Sequence, residues 1–121
     1  MRKLVELDPI SKGFLEVDEK RLQREAQALK EYILSAPVEE EQQLRYRTEI
    51  LPIAEAALKG TLELPYRGYI PYVWESGEGL LPRSFSTLRA DFLVSASGSH
   101  LDVPEIILKD DKEYAWMEFE D

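Results

Sequence analysis

Leu22, Ala26, Leu29 and Ile33 recur at spacings of four, three and four residues with charged side chains between them. One face of an α-helix satisfies that period and a strand does not. Asp18 can accept the free amides of a first turn, so the helix is expected from there to about Ser35. Pro37 then suits the opening of a second helix, and Glu39, Glu40 and Glu41 fall where the helix dipole favours negative charge. This helix is predicted from Val38 toward Lys59, with Leu44, Leu51 and Leu58 on one stripe and Ile50, Ala54 and Ala57 nearby. Gly60 supplies its stop. Pro52 lacks a backbone donor and crowds the preceding turn, so the helix kinks there or two shorter helices meet. With only Ala36 and Pro37 between them, the two helices are expected to form an antiparallel hairpin whose apolar stripes share one sheet face.

The remainder reads as β. Lys3 to Leu7 alternates and ends at Asp8-Pro9, as a short strand or an ordered arm closed by a turn does. Beyond Gly60, Leu62 and Leu64 alternate with polar neighbours, and Tyr66, Gly68, Ile70 and Tyr72 continue on one parity. Pro65 and Pro71 cannot donate to a ladder, which leaves an edge strand, a broken pair of strands or a loop. Ser84 to Ser97 carries two patterns. Leu88, Ala90, Phe92, Val94 and Ala96 share a face on a period of two, while Leu81, Phe85, Leu88, Phe92 and Ala96 align on a helical period. The serine, threonine and valine content favours a strand. Glu105 to Lys109, a turn at Asp110-Asp111-Lys112, and Glu113 to Glu120 form a predicted hairpin, with Tyr114, Trp116 and Glu118 opposite Ala115, Met117 and Phe119. The expected fold is α+β: an N-terminal helical hairpin packed against an antiparallel sheet from the C-terminal half.

A chain of 121 residues, 44% of them hydrophobic, is expected to form one domain spanning 1–121. The absence of cysteine removes disulfides, thiolate nucleophiles and sulfur-ligated zinc. Charges at Arg2, Lys3, Glu6 and Asp8 leave no apolar leader or membrane span at the start, and a cytoplasmic location is expected. Net charge is −9, and six of the nine excess negative charges fall in residues 101–121, which hold eight acids against two bases. Such a field repels phosphates and attracts basic proteins, so nucleic acid is disfavoured as a partner.

Between Pro65 and Pro82 the chain crowds four aromatic residues among prolines and glycines. Rigid rings bury much area at low entropic cost, so Tyr66, Arg67, Tyr69, Tyr72 and Trp74 are candidate partner contacts. Glu75, Glu78, Asp110, Asp111 and Glu113 are candidate charges beside them. Chemistry is less well marked. His100 lies near Asp102 and Glu105, which could orient a general base, but no second histidine completes a transition-metal site. Glu75 and Glu78 could serve as paired carboxylates, although nothing fixes their separation. The P-loop lysine, the Gly-x-Ser-x-Gly turn and the EF-hand spacing are missing, so Asp110, Asp111 and Glu113 are better explained by a charged turn than by a cation. No cofactor or metal is expected. The sequence points to a small acidic protein-binding module, of inhibitor or immunity type, that occludes a basic site on a protein partner, with no membrane partner. Two alternatives stand beside it: a small enzyme or ligand-binding protein with a tyrosine-lined pocket and His100 as its polar group, and a homo-oligomer, a homodimer for instance, that pairs through an edge strand near Ile70.

Overall fold

A computed structural model describes residues 1–35, 40–68, 70, 85–98 and 105–120. In chain order the elements are strand β1 (Arg2–Glu6), helix α1 (Glu19–Ser35), helix α2 (Glu40–Arg45), a π-helical turn (Tyr46–Ile50), helix α3 (Leu51–Lys59), helix α4 (Phe85–Ser97), and strands β2 (Ile107–Lys109) and β3 (Lys112–Glu118). The fold is α+β, with a three-stranded antiparallel sheet of order β1-β3-β2. No described helix is long and apolar enough to cross a membrane.

Helix α1 begins where Asp18 caps it, its Oδ1 accepting the amides of Lys20 at 3.1 Å and Arg21 at 3.3 Å. Leu22, Ala26, Leu29 and Ile33 are all buried. The second helical stretch, expected from Val38 toward Lys59 with a kink or a junction of two shorter helices at Pro52, is divided into α2, the π-helical turn and α3. An α-helix through this stretch would press the Pro52 ring against the Thr48 carbonyl, and the wide turn before it, closed by the Leu51 amide on the Tyr46 carbonyl, relieves that crowding. The extra residue in the turn rotates the buried stripe. Tyr46, Ile50, Ala54 and Ala57 therefore point inward, while Leu44, expected on the stripe, is exposed. Gln23 meets the Ala57 carbonyl at 2.8 Å and Tyr32 packs edge-on to Tyr46, so the two helical stretches run in opposite directions.

The third layer on these helices is another helix. Ser84 to Ser97 was expected as a strand, and Phe85–Ser97 is α4. Phe85, Leu88, Phe92 and Ala96 are buried together with the stripes of α1 and α3 and with Ile70. The serines that argued against a helix are accommodated within it: the Ser95 hydroxyl donates to the Asp91 carbonyl at 2.9 Å and the Ser97 hydroxyl to the Leu93 carbonyl at 2.6 Å. Burial of two phenylalanines outweighs a few tenths of a kcal/mol of propensity per residue. Helix α4 packs on α1 and shares one buried core with the stripes of α1 and α3, where a sheet face was expected.

The sheet has its own small core, made of Val5, Leu7, Phe14 and Ala115 with Met117 and Phe119 against them. The residues that follow β1 join this core at Leu7 and Phe14. Asp8 turns them back, its Oδ1 accepting the amides of Ile10 at 2.8 Å and Ser11 at 3.0 Å. The Ser11 amide above all, then that of Ile10, holds the Asp8 carboxyl below its ordinary range. Two backbone amides help to join this core to the helices: the Phe14 amide donates to the Gly98 carbonyl at 2.8 Å, and the Glu120 amide donates to the second oxygen of Asp18 at 2.8 Å. Asp18 is 6% exposed, so both of its roles are played out of water. Asp18→Ala is expected to destabilise by about 2 kcal/mol, a lost helix cap plus an orphaned amide; urea unfolding measures it, and a change below about 0.5 kcal/mol would show that neither bond matters.

Candidate functional site

The sequence-predicted aromatic contacts fall mostly on residues 69 and 71–84. Tyr69, Tyr72, Trp74, Glu75 and Glu78 lie outside the described residues, as does His100. Tyr66 is half-buried against the helical core, and its amide donates to the Ala96 carbonyl at 2.8 Å. Arg67 donates from Nη1 to the Ser97 carbonyl at 2.6 Å and lies 3.6 Å from Asp8. Ile70, the expected centre of a pairing edge, is fully buried, and its carbonyl accepts from Arg89 at 2.9 Å. No strand is present among the described residues between Gly60 and Phe85.

Asp110 and Asp111 are exposed in the two-residue hairpin turn, at φ of 52° and 64°. Glu113 points to the inner face and pairs with Lys12 at 2.8 Å. This is one instance of a wider pattern. Arg2 pairs with Glu118 at 3.3 Å, Lys112 with Glu6 at 3.5 Å, and Arg24 with Glu120. Three of the six described acids beyond residue 104, Glu113, Glu118 and Glu120, are therefore paired with bases from the first 24 residues, because the antiparallel register lays β1 along β3. Among the described acids near the hairpin, Glu105, Asp110 and Asp111 have no ion-pair partner among the described residues.

The outer face of the sheet presents a different surface. The register places Leu4 opposite Trp116, and Glu6 and Ile107 on either side of Tyr114, all on one face. Trp116 is 46% exposed, and the Arg2 guanidinium lies 5.0 Å from its ring. Arg2 with Glu118 and Glu6 with Lys112 frame this apolar patch with charge. An aromatic centre in a polar rim has the composition of a contact surface. The hairpin parity had already put Tyr114 and Trp116 opposite Ala115 and Met117. The pairing with β1, which brings Leu4 alongside, depends on residues more than 100 positions apart and left no mark in local sequence.

Concave features give less. Four clefts of about 290–440 Å³ are lined wholly by described residues, and none includes a tyrosine in its lining. Of the described tyrosines, Tyr46 is fully buried, and Tyr32 and Tyr66 pack against the same core. The most charged cleft, of about 420 Å³, lies between α1, α4 and the end of β3, and includes Asp18, Arg24, Glu25, Asp91 and Glu120. Asp18 there is already committed to capping α1 and holding Glu120. Among the described residues no group of three or more histidine, aspartate or glutamate side chains is placed to hold a metal ion. Comparison with protein-family models, with curated proteins and with solved structures finds no match.

Proposed function

We propose that this chain is a protein-binding module that engages a basic partner protein through the outer face of its sheet. The observation that carries the reading is Trp116, half-exposed at the centre of an open sheet face beside Leu4 and Tyr114, with Arg2 stacked on its ring. Covering roughly 100 Å² of remaining indole and neighbouring surface is worth about 2–3 kcal/mol. The chain's charge of −9 and the exposed Asp110 and Asp111 at the adjoining turn favour a partner whose rim is basic. An inhibitor that blocks a basic site is one form such a module takes, but its attraction would come from the turn and the chain's overall charge, since Glu113, Glu118 and Glu120 are already paired.

The test is capture from the source cell with wild type, Trp116→Ala and Leu44→Ala as bait, Leu44 being 62% exposed on α2. The expected result is one stoichiometric partner, held by wild type and Leu44→Ala, with affinity for Trp116→Ala reduced at least ~30-fold in calorimetry. A partner that binds Trp116→Ala as tightly as wild type would overturn the assignment of this face.

A further inference from the structure

Among the described residues, β2 forms an open edge of the sheet. Asp110 and Asp111 form a two-residue turn with positive φ at both positions, which makes Lys109 and Lys112 a hydrogen-bonded pair. Counting back, Ile107 also bonds to β3, opposite Tyr114. The amide and carbonyl of Leu108, and those of Ile106 on the same parity, are directed away from β3, and no described strand takes them. Edges are ordinarily protected by charge or by a covering segment. Here Leu108 is 76% exposed and Ile106 is 44% exposed.

We infer that the partner of this edge is a second copy of the chain, joined antiparallel about a two-fold axis at Ile107. The segment reads Glu105-Ile106-Ile107-Leu108-Lys109, and its ends are of opposite charge. With Ile107 facing Ile107 of the second copy, Glu105 of each faces Lys109 of the other. Ile106 and Leu108 exchange backbone bonds: the amide of each donates to the carbonyl of the other in the opposite copy, four bonds in all. That register fits the free groups, because the pairs at Ile107 and at Glu105 with Lys109 are then non-bonded pairs, where side chains approach most closely. Shifting the pairing by one residue would set β3-directed groups against each other.

Lys109 supplies the electrostatic reason. Across its own hairpin it faces Lys112, a like charge, and Lys112 is paired with Glu6. Among the described residues no carboxylate pairs with Lys109 and no base pairs with Glu105; the second copy provides both. The two three-stranded sheets become one of six strands, and the Ile107 and Tyr114 rows of the outer face run on across the axis. The inference is independent of the proposed partner for Trp116, which stays uncovered at the centre of each half.

The pairing surface is small, so association is expected in the micromolar range. Sedimentation equilibrium of the full chain at about 10–500 μM should show a monomer–dimer equilibrium. Glu105→Lys and Lys109→Glu should each weaken it at least ~10-fold by opposing like charges, and the double variant should restore it. Leu108→Pro removes only an outward amide and should abolish the dimer, leaving the hairpin bonds of Ile107 and Lys109 in place. A wild type that stays monomeric throughout, single swaps without effect, or a double variant no better than the singles would each overturn the register.

Discussion

Phe92→Ala is expected to destabilise the protein by about 3–5 kcal/mol, whereas Ala90→Ser should stay within about 0.5 kcal/mol of wild type. The two positions would share a face on a strand. On α4 they do not: Phe92 is fully buried in the helical core, and Ala90 is exposed. Removing the ring takes volume from the core that also holds Leu29 and Ile50, and leaves a cavity that its surroundings close only partly. Since a domain of this size is stable by about 5–15 kcal/mol, the variant should melt well below wild type or be partly unfolded at room temperature. Urea denaturation followed by far-ultraviolet circular dichroism measures both variants. Equal, small losses would place Phe92 at the surface and overturn the packing of α4.

That contrast also shows where local sequence was sufficient. The spacing of Leu22, Ala26, Leu29 and Ile33 fits only a helix, and Asp18 stood alone as its cap, so α1 was legible to the residue. The hairpin expected over Glu105–Lys109 and Glu113–Glu120 was legible because one parity of β3 is small or apolar, although its turn holds two residues rather than three and Lys112 belongs to β3. Ser84 to Ser97 satisfied two periods at once, and the choice fell on propensity, which tertiary burial overrode. The stripe of the second helix differs from the expected one because a kink or a junction of two helices at Pro52 leaves the phase before it unchanged, whereas the added residue upstream turns Leu44 outward and Tyr46 inward.

The candidate site was harder to see because it is a product of pairing. Eight acids in the last 21 residues read as an attractive patch. In three dimensions Arg2, Lys12 and Arg24 return to three of them, so part of the charge that is most concentrated along the chain is neutralised in space. Isolated surface pairs of this kind contribute about 0–1 kcal/mol each to stability, yet together they remove much of the local field. The same return of β1 brings Leu4 to Trp116 and makes the exposed aromatic face. Composition by region could not reveal either effect, since both depend on contacts between the two ends of the chain.

The second large effect is expected at Gly98, where the helical core and the sheet core are clamped together. Gly98 ends α4 at φ +75°, and a methyl group there would overlap the Phe14 carbonyl oxygen and lie 3.1 Å from its carbon. Both obstacles are backbone and cannot swing aside. Gly60 ends α3 at a similar φ of +74°, with nothing within 4 Å of an added methyl. Gly60→Ala should therefore cost only the left-handed conformation, about 1 kcal/mol, while Gly98→Ala should cost at least about 3 kcal/mol. The excess has a location: separating Gly98 from Phe14 breaks the bond between them and shifts Phe14, one of four buried residues that form the sheet's core. Hydrogen exchange in Gly98→Ala should then rise at the amides of β1 and β3 as well as at the end of α4. Equal losses for the two glycine variants would mean that the close approach at Phe14 is unimportant; fast exchange confined to α4 would mean that the sheet core stands without the clamp.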